Sequence, residues 1–142
     1  MSRAAVFRQT FADAADQGER LDEAVNKRKT GTFYEKQAAD YLTGRGYEIL
    51  RHSYRCHFGE IDLIARDGAY LVFVEVKYRK GRTMGEGCCA VDARKQRRIC
   101  GTAAWYLMEN HLPEMTPCRF DVVSVDGAEI SLIQDAFSYG GW

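Results

Sequence analysis

Long apolar runs, an apolar leader and paired cysteines are all missing from this sequence of 142 residues. No segment reaches the roughly 20 consecutive apolar residues of a membrane-spanning helix, and no basic stretch followed by an apolar core stands near Met1. Hydrophobic residues make up 46% of the chain and charged residues 28%, as in ordinary soluble proteins. We therefore expect a globular, cytoplasmic protein with no membrane partner.

The cysteines are odd in number and lack the paired C-x-x-C spacing of zinc ribbons. Reduced thiols are expected for all five: Cys56, Cys88, Cys89, Cys100 and Cys118. His52, Cys56 and His57 lie close in sequence, but adjacent residues on a strand point to opposite faces, and no second half-site follows. The sequence thus argues against both a disulfide framework and a zinc site.

Charge is balanced over the chain, with 20 basic and 20 acidic residues, but it is unevenly distributed. Residues 77–98 contain eight basic and two acidic residues, whereas residues 109–142 contain six acidic residues and one basic residue. The basic group consists of Lys77, Arg79, Lys80, Arg82, Arg94, Lys95, Arg97 and Arg98. Such a concentration fits a polyanionic partner such as nucleic acid, and it also fits an ordinary solvated surface.

Two helices are predicted before the first strand. Residues 2–28 carry small and aromatic side chains at helical spacing, which indicates a helix docked on the domain or on a partner, or else a loosely held tail. Residues 30–32 interrupt the pattern, and Thr32 with Glu35 fits a capping box that opens a second helix ending near Thr43.

Two roles remain open for Glu35. It shares a helical stripe with Ala38, Ala39 and Leu42, the side that should face a sheet. Under the capping interpretation its carboxylate reaches back to an N-terminal amide; under the other it projects from the inward face towards a metal ion. The two interpretations are compatible.

The stretch GEIDLIARDGAYLVFVEVKYR, residues 59–79, predicts a β-hairpin with charged residues among apolar ones. If Asp67 and Gly68 form a two-residue loop, Arg66 pairs with Ala69. One face then carries Glu60, Asp62, Phe73, Glu75 and Lys77. The opposite, buried face carries Ile61, Leu63, Val72, Val74 and Val76. A three-residue loop would flip one strand and separate the charged groups.

Carboxylates on a nearly continuous apolar strand need a partner, and we predict a divalent metal ion. In this register Asp62 and Glu75 are diagonal neighbours, about 5 to 8 Å apart at the backbone, and both can reach one Mg²⁺ or Mn²⁺ ion. Glu35 and the carbonyl of Val76 are candidate further ligands, and Lys77 is placed to orient or deprotonate an attacking water. The alternative is a surface ion pair between Glu75 and Lys77, which would be of little energetic value.

The remaining segments extend an α/β pattern to the end of the chain. They are a strand at residues 47–54, a glycine-rich basic loop at 78–87 that is placed to meet a substrate backbone, a helix at about 89–110, and strands at 118–125 and 129–133. Pro113 and Pro117 bar continuation of the helix. The predicted order α, β, β, β, α, β, β gives a mixed sheet flanked by helices.

Several of these motifs together resemble a known family. The spacing of Asp62, Glu75 and Lys77, preceded by a helix glutamate, is similar to that of the PD-(D/E)XK nuclease superfamily. More narrowly, GEIDLIARDG, LVFVEVKYR, AVDARKQRRI and RFDVV resemble the YraN family of bacterial endonuclease-like proteins, whose fold is similar to that of archaeal Holliday-junction resolvases. The resemblance places an endonuclease-like domain at residues 29–142, after an N-terminal helical extension at residues 1–28.

The resemblance implies an α/β fold with a restriction-endonuclease-like core of order αβββαβ. It also implies a Mg- or Mn-dependent endonuclease that hydrolyses phosphodiester bonds in DNA, with branched or damaged DNA as the substrate by analogy with resolvases. The alternative is a nucleic-acid-binding module that cleaves poorly and acts with a partner in repair, recombination or uptake. A homodimer is compatible with the resemblance, because resolvase-like nucleases often act as dimers.

Carried over by position, the resemblance implies that Glu35, Asp62 and Glu75 are metal-binding catalytic carboxylates and that Lys77 is the catalytic lysine. The candidate nucleic-acid-binding residues are Arg79, Lys80, Arg82, Arg94, Lys95 and Arg98. Tyr34, directly before Glu35, stands where the family usually has glycine.

Overall fold

The computed structural model describes residues 3–79 and 91–139, with side chains described for residues 24–78 and 91–139. The chain divides into two units, Met1–Phe33 and Tyr34–Trp142. Helix α1 spans Arg3–Gly44 and therefore belongs to both. In the described residues, neither of the two helices combines the length and apolar character needed to cross a bilayer.

The predicted helix break at residues 30–32 is wrong, and so is the predicted N-cap at Thr32, because α1 continues through both. The hydroxyl of Thr30 donates to the carbonyl of Asn26, and that of Thr32 to the carbonyl of Arg28, both at 2.9 Å. These bonds satisfy the threonine side chains inside the helix. Gly31 weakens the helix by only about 1 kcal/mol relative to alanine, which is too little to end it.

Among its described residues, the second unit contains one mixed sheet of five strands, in the order β1-β2-β3-β4-β5. The strands are β1 (Glu48–Cys56), β2 (Gly59–Asp67), β3 (Tyr70–Arg79), β4 (Cys118–Asp126) and β5 (Glu129–Ile133). Strands β3 and β4 pair in parallel and the other neighbours are antiparallel. Helix α2 (Ala93–Glu109) lies in the connection between the two parallel strands, as such a crossover requires. The predicted α/β fold with core order αβββαβ is therefore confirmed.

The hairpin of β2 and β3 has the predicted two-residue loop, but the loop is displaced by one position. Asp67 pairs with Tyr70 and Arg66 with Leu71, so the loop is Gly68-Ala69, and the predicted pairing of Arg66 with Ala69 is wrong. Gly68 has φ of 58°, a left-handed value that glycine adopts without strain. Moving a two-residue loop by one position shifts the register by two, so cross-strand partners keep their common face.

Both faces of the sheet are buried, each in its own core cluster. One cluster packs α2 residues such as Ile99 and Ala103 against Phe73 and Phe120. The other packs Ala38 and other residues of α1 against the opposite face, including Leu63, Val72, Val74, Val76 and Val123. The prediction that Ile61 shares a face with Leu63 is wrong, because Ile61 lies in the α2 cluster together with Ile64. Strict alternation along β2 is therefore interrupted between Ile61 and Ile64.

Helix α2 begins later than predicted. Val91 and Asp92 are not helical, and Asp92 is the N-cap, with a carboxylate oxygen that accepts a hydrogen bond from the Lys95 amide at 2.8 Å. The helix is followed by a C-cap at Asn110, close to the predicted end. Most of the predicted basic loop at residues 78–87 lies outside the described residues.

Candidate functional site

Asp62 lies where strands β2 and β3 stop pairing. Their ladder runs from Asp67 and Tyr70 to Leu63 and Val74 and ends there. Beyond it, the amide of Val76 donates to the Asp62 carboxylate at 2.8 Å. A side-chain oxygen thus takes the place of a backbone acceptor, and this fixes the carboxylate at the point where the two strands separate.

Strand β1 is also irregular at this point. Ser53 lies between His52, which pairs with Leu63, and Tyr54, which pairs with Ile61, and its φ of 49° is left-handed. A non-glycine residue in this region costs of order 1–3 kcal/mol, and such residues cluster at functional sites. The Ser53 hydroxyl donates to Glu35 at 2.8 Å, so the distorted strand holds a carboxylate of α1 in place.

Three carboxylates converge beside these irregularities. Oxygens of Glu35, Glu60 and Asp62 all lie within 4.8 Å of one another, and all three residues are half-buried. Glu60 also forms an ion pair with Arg55 at 3.3 Å. Like charges this close repel one another, and a hard cation with oxygen ligands removes the repulsion. The donor set therefore suits Mg²⁺ or Mn²⁺ and does not suit a metal that prefers sulfur or imidazole.

The surroundings of Asp62 strongly favour its protonated form. Burial, followed by the negative charge of Glu75, raises the pKa of the Asp62 carboxyl to about 8. The charge of Glu35 adds to the increase, while the hydrogen bond from the Val76 amide opposes it. Asp62 is thus an acid that the protein keeps short of compensating charge, which is a common property of functional carboxylates.

Glu75 has a different partner from the one predicted. Its carboxylate is 5% exposed, and the ammonium group of Lys95, from the first turn of α2, forms an ion pair with it. Burial lowers the pKa of Lys95, but its hydrogen bond with Glu75 and the charge of Glu75 outweigh this and raise it. Lys95 therefore stays charged and neutralises one carboxylate of the cluster.

Glu60, Asp62, Glu75 and Lys95 line a pocket of about 380 Å³. Its acidic side consists of Glu60, Asp62 and Glu75, and its basic side consists of Arg94, Lys95 and Arg98 of α2. Asp92, the N-cap of α2, also lines the pocket, and its carboxylate accepts the Lys95 amide and so offsets the positive potential of the helix N-terminus. The pocket thus combines ligands for a cation with a wall that attracts an anion.

The structure brings together most of the residues predicted for the site. Glu35, Asp62 and Glu75 converge. Lys77 lies half-buried on β3. The pKa of Asp92 is lowered mainly by the hydrogen bond from the Lys95 amide, and the charge of Lys77 makes a smaller contribution. Of the predicted nucleic-acid-binding residues, Arg94, Lys95 and Arg98 line the pocket and Arg79 ends β3, while Lys80 and Arg82 lie outside the described residues. Tyr34 stacks on Tyr78 with ring centroids 4.2 Å apart.

Glu60 is the carboxylate that sequence reasoning left out. The hairpin pattern predicts Glu60 on the same face as Asp62, but the predicted metal ligands do not include it. The spacing G-E-x-D nevertheless puts two acids on one side of a strand. Its closeness to Glu35 depends on the irregular geometry around Ser53, which no local sequence pattern predicts. The G-E-x-D spacing was therefore the available signal.

Comparison with known proteins identifies the family. The model of the uncharacterised protein family UPF0102 matches residues 34–125. A UPF0102 protein of Lachnoclostridium phytofermentans is 53% identical over 117 residues, covering 82% of this chain and 99% of that protein. Relatives from Symbiobacterium thermophilum and Syntrophus aciditrophicus are 50% and 48% identical, over 78% and 79% of this chain and 97% and 92% of their own lengths. The chain therefore belongs to the uncharacterised protein family UPF0102, as its YraN-like motifs had indicated.

Proposed function

We propose that this protein is a Mg²⁺- or Mn²⁺-dependent endonuclease that hydrolyses phosphodiester bonds in DNA. One observation carries the proposal: the carboxylates of Glu35, Glu60 and Asp62 converge within 4.8 Å beside a basic helix. A purely structural cluster would be neutralised by its neighbours, whereas Asp62 is left with a strongly raised pKa. The proposal includes membership of the PD-(D/E)XK nuclease superfamily and branched or damaged DNA as the substrate.

The carboxylates form the metal-binding side of the proposed site. Asp62, Glu35 and Glu60 would hold the ion, and Glu75, which is paired with Lys95, would be a further candidate ligand. When bound, a divalent ion lowers the pKa of a coordinated water and stabilises the charge that develops on the phosphate. As a ligand, Asp62 would have to be ionised, and its raised pKa means that metal binding would release its proton.

The basic residues form the phosphate-binding side. Arg94 and Arg98 offer planar guanidinium groups that match two phosphate oxygens. Lys77 follows Glu75 by two residues on β3 and is proposed to orient the attacking water or to take its proton. Phosphate contacts carry no information about the sugar, so the preference for DNA over RNA is a separate arm of the test.

A second candidate function is a nucleic-acid-binding module that cleaves poorly. The ion pair between Lys95 and Glu75 favours it, since this lysine occupies a predicted metal ligand. Lys95→Gln separates the two functions. If the pair suppresses metal binding, the variant binds Mn²⁺ more tightly and cleaves faster, whereas a binding module loses affinity for DNA and gains no cleavage.

The deciding experiment incubates the protein with linear duplex, single-stranded and four-way-junction DNA, and with RNA, in Mg²⁺, Mn²⁺ or chelator. Cleavage is expected only when Mg²⁺ or Mn²⁺ is present and not in chelator. The variants Asp62→Asn and Glu60→Gln are expected to lose it. Glu129→Gln, which neutralises an exposed acid on β5, is the matched control and retains full activity. Cleavage that survives in Asp62→Asn, or that proceeds in chelator, would refute the proposed mechanism.

A further inference from the structure

A second cavity, of about 1100 Å³, opens beside the C-terminal half of α2. The described residues that line this cavity are mainly apolar and aromatic, and they include Phe58, Trp105, Leu107, Met108, Leu112 and Tyr139. Glu114 is the only acidic side chain among the described residues that line it. Met108 is 58% exposed and Tyr139 is 52% exposed, so this groove presents apolar and aromatic surface to solvent.

The groove and the acidic pocket are lined by neighbouring residues of the chain. Phe58 lines the groove, and the next residue, Gly59, lines the pocket. The loop between β1 and β2 packs on α2: the ring of His57 lies edge-on to Trp105 at 4.6 Å, and a Cβ at Gly59 would come within 3.5 Å of the Arg98 Cβ. Both cavities are therefore lined by this short segment and by α2.

Helix geometry aligns the basic wall with the groove. Arg94, Arg98 and Trp105 are separated by four and seven residues, which places them on one stripe of α2. At the helical rise, Trp105 lies about 10 Å along the axis from Arg98. This is roughly the length of three nucleotides at the rise of B-form DNA. A strand bound by the arginines therefore reaches the groove within a few nucleotides of the carboxylates.

We propose that the groove binds unpaired bases of single-stranded DNA next to the phosphate that is cut. The phosphates lie along Arg94 and Arg98, and bases beyond the cleavage point insert beside Trp105 and Phe58. Aromatic side chains bind bases of any sequence by stacking, because every base has a π-face. This inference rests on the proposed function and narrows its substrate to DNA that has an unpaired segment at the site, such as a flap, a bubble or an opened junction.

Charge favours a nucleic acid over a second copy of this chain as the occupant. The first half of α2 carries Arg94, Lys95, Arg97 and Arg98, and no acidic residue follows before Glu109, which accepts a hydrogen bond from Tyr54. Two copies that packed α2 against α2 would bring these basic residues together, whereas a polyanionic strand neutralises them.

The test measures binding of a short oligothymidylate and of a duplex of equal length to the full chain, in chelator and in an Asp62→Asn, Trp142→Phe background. This background leaves Trp105 as the only tryptophan and prevents metal-dependent cutting. We expect the single strand to quench the fluorescence of Trp105 saturably, and the duplex to quench it much less. Equal affinity for the two probes without quenching would overturn the inference.

Two methionines provide a matched pair of variants. Met108→Glu adds a negative charge in the groove, whereas Met115→Glu adds the same charge at a side chain that is 91% exposed and does not line it. We expect Met108→Glu to weaken oligothymidylate binding by about 5- to 150-fold, the range for the loss of one stacked base, and Met115→Glu to leave it nearly unchanged. Circular dichroism checks that both variants fold.

Equal affinity of the two methionine variants for oligothymidylate would overturn the inference. A second contradicting result would be that the protein is a dimer, and that Met108→Glu dissociates it without changing the affinity for oligothymidylate. Neither result bears on metal-dependent cleavage, which is measured separately with Asp62→Asn and Glu60→Gln. Failure of the groove and failure of the nuclease proposal are therefore distinguishable.

Discussion

Two carboxylates on neighbouring parts of the sheet, Asp62 and Asp121, have opposite surroundings. Asp121 is fully buried, and both of its oxygens are satisfied: Arg119 donates to each at 2.9 Å, the Tyr47 hydroxyl to one at 2.9 Å, and the Asp135 amide to the other at 3.0 Å. Asp62 has one backbone donor and lies among other carboxylates. A buried acid that maintains the fold is compensated by its neighbours, whereas one kept for chemistry is left short of positive charge.

The compensated cluster extends beyond Asp121. Arg119 also binds Asp67 at 2.8 Å, and the hydroxyl of Tyr47 accepts hydrogen bonds from Arg119 and Gln134. The hydrogen bond with Asp121, the largest influence, raises the pKa of Arg119 further above its usual range. The motif RFDVV, which helped to identify the family, is therefore explained by structure: its arginine and aspartate tie β4 to the end of β2 and to Tyr47.

The largest difference between the two clusters should appear in stability. Asp121→Asn removes one of the two carboxylates that compensate the part-buried Arg119, while the ion pair with Asp67 remains, so it is expected to lower the free energy of unfolding by about 1.5–3 kcal/mol. Asp62→Asn replaces a carboxyl that is costly to ionise in the folded protein by a neutral amide, and it should leave the stability equal or raise it. Urea unfolding of both variants at neutral pH measures this. A loss in Asp62→Asn as large as that in Asp121→Asn would remove the distinction.

The pH dependence of stability should follow Asp62. In the folded protein this carboxyl keeps its proton up to a pKa of about 8, whereas in the unfolded chain it ionises near 3.8. Between these values the unfolded state binds fewer protons, so stability falls as the pH rises from about 4 to about 8, by up to about 1.4 kcal/mol per pH unit. Unfolding in urea at a series of pH values should show this decline in the wild type and lack it in Asp62→Asn. A decline that persists in the variant would show that other groups cause it.

A smaller effect is expected from one hydroxyl of the compensated cluster. Tyr47→Phe removes a group that contacts Asp121, Arg119 and Gln134, and should cost about 1–2 kcal/mol because these partners are buried or partly buried. Tyr41→Phe is the matched control, since the Tyr41 hydroxyl contacts only the exposed Arg45 in the described hydrogen bonds, at 3.1 Å. Thermal unfolding of the two variants measures the difference. Equal losses would mean that the network around Asp121 contributes little.

The sequence predicts those parts of the fold that depend on local patterns and misses those that depend on distant contacts. Strand β5 was predicted with its observed bounds, and the face shared by Asp62 and Glu75 followed from an even loop. The loop position was missed because Asp-Gly is a strong local turn signal, whereas Asp67 stays in the strand and binds Arg119, 52 residues away. A local pattern carries no information about such a contact.

The candidate site shows the same limit. Hydrophobic patterning and the acidic spacing led to Asp62, Glu75 and Glu35. The contribution of Glu60 and the pairing of Lys95 with Glu75 depend on strand irregularities and on the position of α2 over the sheet. Both arise from tertiary packing, which overrides local preference where strands separate.

The central claim, that Glu35, Glu60 and Asp62 form a metal site, is tested most directly by calorimetric titration with Mn²⁺ at neutral pH. We expect binding accompanied by release of a proton, detected as a dependence of the heat on the ionisation enthalpy of the buffer, because Asp62 is protonated before it binds. Asp62→Asn should weaken binding by at least about tenfold, equivalent to about 1.4 kcal/mol, whereas Glu129→Gln should match the wild type. Absence of binding to the wild type, or unchanged binding in Asp62→Asn, would contradict this account.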